Sequence, residues 1–256
     1  MADNRPVLRV KGLGKTFILH QQGGLALEVI HALSFDLHPG EVLALAGPSG
    51  LGKSSILKMI TGNYLCSAGS ILVQDPETGE EVDVTRAAPR RILALRRRVL
   101  GHVSQFLRVI PRVPTIDIVA EPLAAFDIAP AEAKDLAATI LARLNLPESL
   151  WSLPPATFSG GEKQRVNIAR GLVAPYPVLL LDEPTASLDA ANQAVVEELI
   201  AEKREGGVAV LGIFHDPAQR ARIASRVIDL GAHAGKPVER IGGVLNHDAG
   251  LRPSHA

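Results

Sequence analysis

Three segments are apolar at nearly every position: Val42 to Ala46, Val178 to Leu181 and Val208 to Phe214. Runs this short, unbroken and bounded by turn residues predict strands covered on both faces, hence a parallel sheet flanked by helices. Between them the apolar spacing becomes helical over Lys53 to Thr61, Glu162 to Val173 and Ala190 to Lys203. That alternation predicts an α/β chain. From Thr115 to Leu150 no strand pattern occurs, and Leu136, Ile140 and Leu144 share one helical face, which predicts a helical insert. Ahead of it, Val7 to Val10, Leu27 to Leu37 and Ser70 to Gln74 predict strands of a small antiparallel sheet. After Gly231 the chain is rich in Gly, Pro and His with weak periodicity, the pattern of a mobile end.

Composition narrows this picture. With 46% hydrophobic and 21% charged residues among 256, the chain has the make-up of a globular protein and enough length for one large core or two modest ones. Lys plus Arg equals Asp plus Glu at 27 each, which removes any general pull toward nucleic acid or anionic lipid. Charges in MADNRPVLRVKG stand where a signal peptide needs an apolar stretch, and no apolar run approaches the ~18 residues of a membrane-crossing helix. The single cysteine, Cys66, has no partner for an internal disulfide and fits a reducing, cytoplasmic compartment.

Chemistry enters between the first buried strand and the helix after it. Gly47-Pro48-Ser49-Gly50-Leu51-Gly52-Lys53-Ser54 fits G-x-x-x-x-G-K-[ST] and is followed by Ser55. Glycines let the backbone curl around phosphate oxygens, and the helix N-terminus aims free amides at negative charge. Lys53 is then placed for the β- and γ-phosphates and the Ser54 hydroxyl for Mg²⁺. A second apolar run ends in Asp182 and Glu183, a carboxylate for the metal and one to orient or deprotonate a water. Phe158-Ser159-Gly160-Gly161-Glu162 opens a predicted helix, with Ser159 as its cap and two glycines that let a ligand reach the amides.

Together with Gln105, Ser187-Leu188-Asp189 and His215, these segments resemble the ABC-type ATPase family, in its order and over nearly the whole chain. The resemblance implies a P-loop nucleotide-binding domain with a RecA-like core, a small antiparallel β subdomain and a helical subdomain. One ABC domain would then span 1–256, with core and antiparallel parts in 1–104 and 158–256 and the helical subdomain in 105–157. It implies ATP and Mg²⁺ as ligands: residues 47–55 around the phosphates, Phe17 stacked on adenine, and Ser54, Gln105 and Asp182 at the metal. Glu183 would polarise the attacking water, His215 would contact the γ-phosphate, and Asp189 would mark the loop between two paired units. The signature Ser159, Gly160, Gly161 and Glu162 would face the nucleotide of the second unit, in a homo- or heterodimer. Phe158 and Glu162 depart from the commonest signature, which has Leu and Gln there.

Four further blocks, QFLRVIPRVP from Gln105, KTFILHQQ from Lys15, LNLPESLW from Leu144 and GIFHD from Gly212, resemble the ATP-binding L subunits of bacterial carbon–phosphorus lyase systems. That resemblance implies a role in phosphonate breakdown, at the ribosyl triphosphate step, with the lyase core subunits and a companion K-type ATPase as partners. Phe106, Arg108 and Arg112 would then face a partner, since aromatic and arginine side chains anchor interfaces. The alternative is the ATPase subunit of a transporter of the lipoprotein or macrolide export type. The arginines at 96, 97 and 98, without interleaved aromatics, predict a solvated or partner-facing helix and no nucleic-acid patch.

Overall fold

Two sheets organise the chain, whose computed structural model describes residues 5–19, 25–75, 78–105 and 112–234. The first is antiparallel in the order β2-β1-β4-β5, built from β1 (Leu8–Leu19), β2 (Leu25–Leu37), β4 (Ala68–Gln74) and β5 (Glu81–Asp83). The second is parallel in the order β6-β7-β8-β3-β9, from β3 (Val42–Ala46), β6 (Leu100–Val103), β7 (Val178–Asp182), β8 (Ala209–Ile213) and β9 (Arg226–Asp229). Helices α1 (Lys53–Ile60), α2 (Pro89–Arg98), α3 (Thr115–Ala120), α4 (Pro130–Arg143), α5 (Gly160–Leu172), α6 (Ala190–Glu205) and α7 (Pro217–Ile223) complete the order.

The unbroken apolar runs follow from burial on both faces. Every residue of β3, β7 and β8 is buried. Val178 and Leu180 of β7 point into a core shared with α1 and the antiparallel sheet, while Leu179 and Leu181 point into a second core shared with α4, α5 and α6. Period-two alternation therefore persists in space, although both sets are apolar and it vanishes from the sequence. Burying one such leucine stabilises the fold by roughly 1.5–3 kcal/mol.

The middle third is helical, with α3 and α4 packed on each other and on α5. Leu136 departs from its predicted face: it is 39% exposed, whereas Ala133, Ala137, Ile140 and Leu141 are the buried positions of α4. Ile140 and Leu144 are buried as predicted, so the stripe holds at two of its three positions and widens toward Ala133, Ala137 and Leu141. Asn145 then ends the helix in the left-handed region, at φ 55.

In the arginine run on α2, Arg97 and Arg98 are exposed and Arg96 is half-buried, and two of the three also hold bonds within the fold. Arg96 donates to the Thr61 carbonyl and to Asn63, both at 2.6 Å, and Arg98 donates to the Ala125 carbonyl at 2.6 Å and to Asp127 at 2.8 Å. These bonds tie α2 to the end of α1 and to the turn ahead of α4. Arg96, Arg97, Lys58, Arg170, Asn167 and His102 line a groove of about 690 Å³ between the parallel sheet and the helical part. No helix among the described residues is long and apolar enough to cross a membrane.

Candidate nucleotide site

Four parallel strands deliver their carboxyl ends to one edge of the sheet, the edge where open α/β sheets bind ligands. Ala46 ends β3 and hands over to the glycine loop, Asp182 ends β7, Gln105 lies two residues beyond β6, and His215 lies two residues beyond β8. The loop needs glycine for two different reasons. Gly50 has φ 86 with open space where a side chain would begin, so the backbone there stays accessible to a ligand. Gly52, at φ 80, is packed so closely that a Cβ would lie 2.5 Å from Val29. Helix α1 starts directly after it without a side-chain cap, which leaves its first amides for an anion.

Lys53 folds back over this loop, its Nζ donating to the carbonyls of Gly47 at 2.8 Å and Pro48 at 2.9 Å. The ammonium thus lies against its own backbone, where phosphate oxygens would compete for the same donors. Ser54 Oγ donates to Asp182 Oδ1 at 2.9 Å, joining the loop to the end of β7. Asp182 is only 5% exposed, and burial pushes its carboxyl above the usual range despite the Ser54 bond. A desolvated carboxylate beside a hydroxyl, under an open glycine loop, is a set of hard oxygen donors that suits magnesium.

Glu183 follows at φ 51, a left-handed backbone that few non-glycine residues adopt. Its amide donates to the Ile213 carbonyl at 3.1 Å, which anchors the turn across β8. The carboxylate is held between two neighbours: His215 Nε2 lies 2.9 Å from Oε1, and Gln105 Nε2 donates to Oε2 at 3.5 Å. Three residues predicted from separate segments therefore meet at one carboxylate. The His215 side chain is 58% exposed and that of Glu183 only 15%, so the pair opens outward on the imidazole side.

Ser159 caps α5 in a reciprocal box with Glu162. Asp189 caps α6, with Oδ1 accepting from the Asn192 amide at 2.8 Å, and that bond foremost holds its carboxyl below the usual range. Gly161 backs onto the Ser187 carbonyl, where a Cβ would come within 3.3 Å, so the starts of α5 and α6 are neighbours. Phe17 packs edge-on against Tyr64, with ring centroids 5.8 Å apart, and Lys15 Nζ lies 4.7 Å from its centroid. Arg112 is exposed in the left-handed region at φ 65, while Phe106, Arg108 and the tail beyond Ala234 lie outside the described residues.

Two residues were missed by sequence reasoning. Gln164, buried on α5, donates to the Pro184 carbonyl at 2.9 Å, and Asn167 one turn later donates to the Ser104 carbonyl. Helix α5 thereby grips the backbone next to both Glu183 and Gln105. No spacing in the sequence marks them, because the buried positions Gln164, Val166, Asn167, Ile168 and Ala169 run round α5 and form no single stripe.

A glycine loop between strand and helix, a buried Ser–Asp pair and a strained glutamate on one sheet edge define a P-loop nucleotide-binding protein. The chain belongs to the ABC transporter family, which it matches over residues 30–186, and is an ABC-type ATP hydrolase. It is 34% identical to the lipoprotein-releasing system ATP-binding protein LolD of Pseudomonas syringae pv. tomato, over 93% of this chain and 99% of that one. With LolD 2 of Caulobacter vibrioides the identity is 37%, over 88% and 94%. Among solved structures, the dimeric ATP-binding cassette MJ0796 bound to ADP and Pi in a post-hydrolysis state matches with TM-score 0.78 at 26% identity, over 93% of this chain and 100% of that one.

These relatives overturn the phosphonate reading. The proteins that align almost end to end with this chain are named for lipoprotein release, which points to a transporter ATPase and away from lyase core subunits and a K-type companion. The blocks that suggested otherwise are short, and most of QFLRVIPRVP falls at residues 106–111, outside the described residues.

Proposed function

We propose that the chain is the ATP-binding subunit of a membrane transporter of the lipoprotein or macrolide export type, working at the cytoplasmic face as one of two paired ATPase units. The observation that carries the chemistry is Glu183, held between His215 and Gln105 one residue beyond Asp182. Lys53 exchanges its two loop carbonyls for the β- and γ-phosphates, and Phe17 stacks on the adenine. Magnesium, when bound, neutralises phosphate charge, with Ser54, Asp182 and Gln105 as the residues that would hold it. Glu183 takes a proton from the water whose oxygen attacks the γ-phosphorus, the bond to the ADP oxygen breaks, and His215 steadies the phosphate that leaves.

Ser159 and the glycines after it face the nucleotide of the second unit, and Asp189 lies at the seam. Residues 105–157 act as the helical subdomain, between core parts at 1–104 and 158–256. The groove beneath α2 is open to a segment of the membrane partner. Affinity purification from membranes tests this reading: membrane permease subunits should be recovered with the chain. Recovery of soluble partners alone would overturn it.

A further inference from the structure

Ser159 has one hydroxyl proton, and that proton already has an acceptor. Its Oγ donates to Glu162 Oε2 at 2.8 Å, and its amide donates to the same oxygen at 2.8 Å. In return the Glu162 amide donates to Ser159 Oγ at 3.3 Å. Ser159 lies exposed at the start of α5 with Glu162 half-buried beside it, and a Cβ on Gly160 would meet nothing within 4 Å, so the approach is open. An arriving phosphate therefore finds the donors of Ser159 engaged and a full negative charge next to them.

We propose that Glu162 is a positioning residue that raises the ATP concentration at which two copies of the chain close on nucleotide, by holding the Ser159 donors and placing a like charge in the path of the phosphate. This rests on the pairing described above. Closure requires the Ser159 hydroxyl to leave Glu162 for a phosphate oxygen, and the carboxylate stays behind as a repelling neighbour. A glutamine at 162 keeps an oxygen for the Ser159 amide, so the helix start stays capped while the charge is gone. An aspartate keeps the charge with a shorter reach.

The test is sedimentation velocity over an ATP and magnesium titration, with Glu183→Gln in every chain so that nucleotide survives. Glu162→Gln should lower the half-dimerising ATP concentration by about two- to fivefold at low salt, the scale of one exposed charge interaction. That gap should shrink at about 0.5 M NaCl, where charges in contact with solvent are screened. Glu162→Asp should stay near the parent value. A Gln half-point at or above the parent's, a shift that ignores salt, or an Asp variant that behaves like Gln would each overturn the proposal. Absence of any ATP-driven dimer in the parent would instead refute the pairing on which it rests.

Discussion

Glu183 shows how much a single side chain depends on its neighbours. A carboxylate at the end of a strand is ordinarily a surface group, but here His215 and Gln105 reach it from two other strands. Both of its oxygens are thereby held in place at the edge of the sheet where β7 and β8 end. Glu183→Gln keeps the size and most hydrogen bonds of the residue and removes the proton acceptor. ATP should still bind, measured by fluorescent nucleotide titration, while steady-state hydrolysis should fall by about 10² to 10⁴, the usual contribution of a positioned base. Hydrolysis at the parent rate would exclude Glu183 from that role.

Among the elements, β7 does most to join fold and site. Its residues feed two cores in alternation and its last position is Asp182, so a cavity under the strand is felt by both. Leu180→Ala should destabilise the protein by about 2–5 kcal/mol in urea denaturation, the range for emptying a fully buried leucine site. The strand itself was plain in the sequence because nothing polar interrupts it. The face of α4 was legible only in part: Ile140 and Leu144 are buried as read, but Leu136 is exposed, and the buried Ala133 and Ala137 carry as little signal inside as outside. Likewise the motif residues Lys53, Ser54, Asp182 and Glu183 could be read from spacing. Gln164 and Asn167 could not, because their hydrogen bonds run to backbone carbonyls that leave no mark on residue type.

For the molecule as a whole, zero net charge conceals a local imbalance. The groove beneath α2 gathers Lys58, Arg96, Arg97 and Arg170 against one carboxylate, Glu121, which pairs with Arg170 at 2.8 Å, and His102 is on its wall. Burial first, then the nearby Arg96 and Lys58, push the His102 imidazole down to about 4, and its Nε2 is buried without a partner among the described residues. Between that value and the ordinary ~6.5 the unfolded chain binds the extra proton, so stability rises with pH through this window. The contribution is fully present above pH ~6.5 and is lost as pH falls toward 4, on the order of 3 kcal/mol. Replacing His102 with Gln should flatten that limb of a stability-against-pH curve from chemical denaturation, and an unchanged slope would remove His102 as its source. Glu183 poses the opposite problem, since at φ 51 it occupies a conformation that asparagine or glycine adopts with less strain. Selection for thermal endurance alone would therefore drift toward those residues at 183, and on the proposed role of Glu183 it is the demand for turnover that holds the glutamate in place.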